Sequence, residues 1–185
     1  MLSQRIEQFL IDRADQAYQN APSWAPALEA AVMAMAASLT NGGRLLTAGS
    51  MSTQATAQMW THMLTHGLER DRPALPAWTL LAEGHEVGLS RQLMAHGNED
   101  DLLVIWSLKG QEPALVKLAE VAQEKGMTVV GVAGGAGATL VETLQDTDVA
   151  LAIGLESSAS ILHAQCLIAL AMCSALDLQL MGDEP

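Results

Sequence analysis

LLVIWS, Leu102 to Ser107, decides the fold. The run is apolar without alternation and too short for a helix, the pattern of a strand covered on both faces. Downstream, Ser107-Leu108-Lys109-Gly110-Gln111-Glu112 reads as a turn. Pro113 then opens a helix that runs to Lys125 and stops at Gly126. Thr128 to Ala133 (TVVGVA) repeats the strand pattern. The Gly-rich turn Gly134 to Gly137 follows, then a short helix near Leu140 and a strand at Val149 to Ile153 (VALAI). Upstream, Arg44 to Gly49 (RLLTAG) is a strand leading into a helix from Thr53 to Gly67. Ala77 to Leu81 (AWTLL) is another, leading into a helical piece from Val87 to His96. Strands alternating with helices predict an α/β protein with a five-stranded parallel sheet, doubly wound, with helices on both faces.

The two ends of the chain are helical. Gln4 to Asn20 carries apolar residues at helical spacing, Pro22 and Pro26 interrupt it, and a second helix is expected from Pro26 to Asn41. A long closing helix is expected from Ser158 to Leu180. It contains His163, Gln165 and Ser174, and so reads as buried rather than membrane-spanning. No linker or repeat divides the sequence. One domain over residues 1–185 is expected, with N-terminal helices at 1–41, an α/β core at 44–156 and the closing helix at 157–181.

Composition narrows the function. A formal charge of −12 from nine Lys and Arg against 21 Asp and Glu argues against direct binding to nucleic acid or to anionic membranes. It leaves room for a basic protein partner. Cys166 and Cys173 lie two turns apart on one helix, about 10 Å, too far for a disulfide. Buried free thiols and a cytoplasmic setting are expected, and no leader-like opening is visible.

In open α/β sheets, ligands collect beyond the carboxyl ends of the strands. Two loops there bear hydroxyls and glycines: Gly49-Ser50-Met51-Ser52-Thr53-Gln54 and Ser107 to Glu112. They could cradle an anion with hydroxyls and freed backbone N–H groups. The same residue types also cap helices, so spacing alone leaves both readings open. Glu112, just before Pro113, would compete for the helix N-terminus. At about 5 Å from a phosphate charge it would cost about 3 kcal/mol at an effective dielectric near 20.

The segments GRLLTAGSMSTQATAQMW, DRPALPA, LLVIWSLKGQ and EKGMTVVGVAG together resemble sugar isomerase (SIS) domain proteins. The group concerned includes the phosphoheptose isomerases and the noncatalytic DnaA initiator-associating protein. The resemblance implies a flavodoxin-like three-layer α/β/α fold and a homotetramer or homodimer built through helices. It further implies a sugar phosphate as ligand or, as in the noncatalytic member, a replication initiator as partner. Ser50, Ser52, Thr53, Ser107, Lys109, Gly110 and Gln111 would be the ligand-binding residues. Departures from the family pattern are many. Met51 stands where the family's first loop has Gly, and Glu112 where its second loop ends in Ser. The family's acid and base, a Glu and a His, fall at Met63 and Leu170. Its remaining zinc ligands, a His and a Gln, fall at Met59 and Leu162, so no catalytic residue, metal or other cofactor is expected. The loop that brings an Asn-Asp pair to the sugar is missing between the second and third strands.

His62 and His66 sit at i and i+4 without a third ligand, and read as polar-face histidines. In the alternative of an isomerase with a rearranged site, His62 would be the base. His163 and Gln165 read as polar inclusions in a packed interface. His85, between Glu83 and Glu86, reads as a solvated loop residue. Gly131 to Gly137 lacks the order of a dinucleotide fingerprint, and no nucleophilic triad can be assembled.

Overall fold

A computed structural model of the chain describes residues 1–81, 87–135 and 138–182. His85 and its flanking Glu83 and Glu86, and Gly137, lie outside the described residues.

The sheet has the order β2-β1-β3-β4-β5, every pairing parallel. Its strands are β1 Leu45–Gly49, β2 Ala77–Leu80, β3 Leu102–Ser107, β4 Thr128–Ala133 and β5 Val149–Ala152. The helices are α1 Leu2–Thr40, α2 Gln54–His66, α3 Val87–His96, α4 Pro113–Glu124, α5 Ala138–Thr143 and α6 Ser158–Met181. The three-layer α/β/α architecture is as expected. Side chains alternate along β3: Leu102, Val104 and Trp106 face α1, α2 and α6, while Leu103 and Ile105 face α3, α4 and α5. All six β3 residues are buried, as an unalternating apolar run requires of a central strand.

One expectation about the first 41 residues is corrected. In place of two helices there is one, α1, with Pro22 and Pro26 inside it. Both prolines are exposed, so their rings meet solvent. They lie one turn apart, so the carbonyl orphaned by Pro26 is that of Pro22 itself. The carbonyl orphaned by Pro22 is that of Tyr18, and Tyr18 is likewise exposed. The indole of Trp24, buried just past Pro22, donates to Ile153 O beyond β5 at 3.2 Å and pins the helix to the sheet.

The apolar helix α6 is long enough to cross a bilayer, yet half of its most apolar window is buried within the chain. Ile161, Ile168, Met172 and Leu176 pack in the core shared with α1 and α2. Cys173 is buried and Cys166 only half-buried, a correction for the latter. Burial, with Asp177 nearby, pushes the Cys173 thiol up to about 12. At the opposite end of the sheet Asp101 gathers Arg44, accepting from its backbone N–H at 2.7 Å and from its guanidinium.

Candidate functional site

Strand order reverses direction between β1 and β3, which are direct neighbours. The loops leaving their carboxyl ends therefore diverge, and the space between such loops is the usual ligand position in these sheets. These are the two loops singled out in the sequence.

After β1 the chain makes a 3-10 turn, Met51–Thr53, that runs into α2. Gly49 permits it: a Cβ there would lie 2.5 Å from Thr53 O. Thr53 is fully buried, and its hydroxyl is committed inside the protein. It accepts from Ser50 N–H at 3.0 Å and shares its hydrogen between Ser50 O (2.9 Å) and Trp106 O (2.7 Å). Thr53 thus ties the first loop to the end of β3. Ser50 is half-buried and Ser52 exposed, both at the rim. Met51 takes a left-handed φ of 52° with its side chain exposed. For a side chain other than glycine's that conformation costs about 1–2 kcal/mol.

The second loop folds around its own glutamate. Glu112 Oε1 accepts from Leu108 N–H at 2.9 Å and from Lys109 N–H at 3.2 Å. Oε2 accepts from Gln111 N–H at 3.0 Å and from the hydroxyl of Ser107. Gly110, at φ 74°, turns its N–H onto Ser107 Oγ at 2.6 Å. Successive N–H groups pointing into one concavity make an anion nest. Burial pushes the Glu112 carboxyl up, but the Ser107 hydroxyl and the backbone N–H donors outweigh it. They hold Glu112 below the usual carboxylate range. The expected competition for the helix N-terminus is corrected here: Glu112 precedes α4 without a side-chain capping bond and points back into the loop.

The nest is braced from behind. Ser107 O accepts from Gly134 N–H (3.1 Å) and from Gln165 Nε2 (2.8 Å), and Gly110 O accepts from Leu140 N–H (2.8 Å). Gln165 is fully buried, a bracing role that the sequence reading missed. Its signal was a polar side chain on the inner face of an apolar helix. Lys109 and Gln111 are exposed at the loop's outer edge.

The four residues at which the resemblance places the family's acid, base and zinc ligands are apolar. Met63 is buried beside Trp60 in the core, while Met59 and Leu170 pack against that core half-buried. Leu162 is half-buried on α6. Two thioethers and two alkyl chains do not fit a zinc ion, which takes imidazole, thiolate and carboxylate donors. Among the described residues no three His, Cys, Asp or Glu side chains converge. The rings of His62 and His66 stack with centroids 4.1 Å apart, and His66 Nδ1 lies 2.9 Å from Thr65 Oγ1.

A five-stranded parallel sheet of this order, with hydroxyl- and glycine-bearing loops at its switch point, defines the class as flavodoxin-like three-layer α/β proteins. The SIS domain family matches residues 14–134, and the chain belongs to it. Among curated proteins it is 31% identical to a phosphoheptose isomerase of Methylibium petroleiphilum, over all of this chain and 98% of that one. It is 30% identical to the DnaA initiator-associating protein DiaA of Erwinia tasmaniensis, over 82% of this chain and 83% of that one. Among solved structures, a phosphoheptose isomerase from Francisella tularensis superposes with a TM-score of 0.87 at 28% identity. That match covers 96% of this chain and 98% of the other.

Proposed function

We propose that this chain is a noncatalytic SIS protein of the cytoplasm that works as a homodimer or homotetramer and gathers a protein partner. The observation that carries the reading is the apolar set Met59, Met63, Leu162 and Leu170. None of these can move a proton, so the ketose–aldose interconversion of a sugar phosphate has neither acid nor base. A replication initiator is the proposed partner, by likeness to the DnaA initiator-associating relative. The net charge of −12 suits a basic partner surface, and several weak contacts on one oligomer reinforce one another.

Self-association is supported by α1. Ile6, Phe9, Leu10 and Ile11 are all exposed along its N-terminal half. An apolar groove of about 380 Å³ between α1 and α6, lined by Trp24, Leu28 and Leu167 among others, continues that surface. A second copy of the chain is the proposed occupant.

The alternative, a phosphosugar isomerase with a rearranged site, draws on the relatives named phosphoheptose isomerase. In it Ser50, Ser52, Thr53, Ser107, Lys109, Gly110 and Gln111 hold the phosphate and His62 is the base. His62 counts against it: one residue along a helix turns about 100°, and His62 is exposed while Met63 is buried. Titration of the purified oligomer with the replication initiator of the same cell tests the partner reading. Binding in the micromolar range that weakens with added salt is expected. A complete lack of binding at tens of micromolar would overturn it.

A further inference from the structure

We propose that Glu112 is a built-in anion: its carboxylate occupies the oxyanion seat of the β3–α4 loop and makes the crevice reject phosphate monoesters.

The seat is defined by donors, and every one of them is spent. The N–H groups of Leu108, Lys109 and Gln111 and the hydroxyl of Ser107 all end on the two carboxylate oxygens of Glu112. Gly110 uses its N–H to hold the Ser107 oxygen, which leaves the hydroxyl hydrogen free for Glu112. A terminal phosphoryl group asks for the same thing, several N–H and O–H donors converging on oxygens that share one negative centre. Carboxylate and phosphoryl cannot both have them.

Two features separate this from an ordinary turn. First, the carboxylate makes no capping bond to the adjacent α4 N-terminus, although the helix dipole favours a negative charge there. Second, the seat is braced independently of its occupant, by Gly134 and Gln165 on Ser107 O and by Leu140 on Gly110 O. A seat held that way keeps its shape when Glu112 is shortened. An arriving phosphate that left Glu112 in place would meet a like charge about 5 Å away. That repulsion lowers affinity about a hundredfold at an effective dielectric near 20. Lys109, exposed outside the loop, leaves the seat itself to the carboxylate. The inference does not depend on a protein partner: a chain that bound no initiator at all would still refuse phosphate.

The test compares wild type with Glu112→Ser, titrated with inorganic phosphate and with sedoheptulose 7-phosphate, by calorimetry and by thermal unfolding at fixed ionic strength. The wild type should show neither heat nor a rise in Tm. Glu112→Ser should start with a lower Tm, recover it as phosphate is added, and bind about a hundredfold more tightly than wild type. Equal binding by the two proteins, or no binding by a folded Glu112→Ser, overturns the proposal. Should that variant not fold, Glu112→Ala, which likewise vacates the seat, carries the same titration. In the wild type itself, amide resonances of Leu108, Lys109 and Gln111 should move together as Glu112 is protonated. Amides indifferent to that protonation would also overturn it.

Discussion

At Glu112 a charge is held by four donors of its own loop, so pH gives a clean readout of its strength. Its folded pKa is depressed, because the N–H and hydroxyl donors favour the ionised form over the cost of burial. A depressed carboxyl stabilises the fold above its unfolded value, about 4.3, and that contribution is lost as pH falls through the folded value. Glu112→Gln is therefore expected to unfold more easily than wild type at pH 7, by about 1–2 kcal/mol. The gap should close as pH drops below about 4.3. A gap constant from pH 7 to 3 by denaturant unfolding would contradict the charged nest. The residue types of both loops were legible in the sequence. Two things were not. Thr53 was expected to offer its hydroxyl to a ligand, whereas the turn that Gly49 permits puts it 2.7 Å from Trp106 O. Glu112 was expected to face α4, because Pro113 marks a helix start. The backward turn depends on the φ of 74° at Gly110, a dihedral that residue pattern does not disclose.

Elements were read most accurately where burial and periodicity agree. The bounds of α3, β3 and β4 match those expected from the sequence, because a strand buried on both faces and a helix between turn residues each leave an unambiguous pattern. At α1 the rule that proline breaks helices gave the wrong answer, since tertiary anchoring at Trp24 and solvent-facing rings offset the lost hydrogen bonds. The connection from α2 to β2 depends on a buried ion pair that the sequence did not announce. Arg72 Nε donates to Asp177 Oδ1 of α6 at 2.5 Å, and its Nη1 donates to Leu64 O of α2 at 2.7 Å. Both side chains are nearly fully buried, 2% and 5% exposed. Arg72→Ala leaves Asp177 without its partner in the interior and should cost about 3–5 kcal/mol in chemical denaturation. Lys117→Ala, which removes the exposed pair with Glu120, should leave the midpoint unchanged. Comparable losses in the two variants would contradict the burial argument.

For the molecule as a whole, architecture was the most legible property, because five short apolar runs separated by helices admit few topologies. Assembly is a different matter: α1 exposes Ile6, Phe9, Leu10 and Ile11, and the proposed cover is a second copy. Size-exclusion chromatography with light scattering should give two or four times 19.5 kDa, and paired Phe9→Glu and Leu10→Glu substitutions should reduce it. A wild-type monomer would contradict that proposal. The proposed reading is that the SIS scaffold persists here without the family's proton-moving Glu and His, and turnover tests it most directly. Purified protein supplied with sedoheptulose 7-phosphate, with and without zinc, is predicted to form no aldose phosphate above the rate in buffer. Product that accumulates in proportion to protein, and ceases in His62→Ala, would contradict the account.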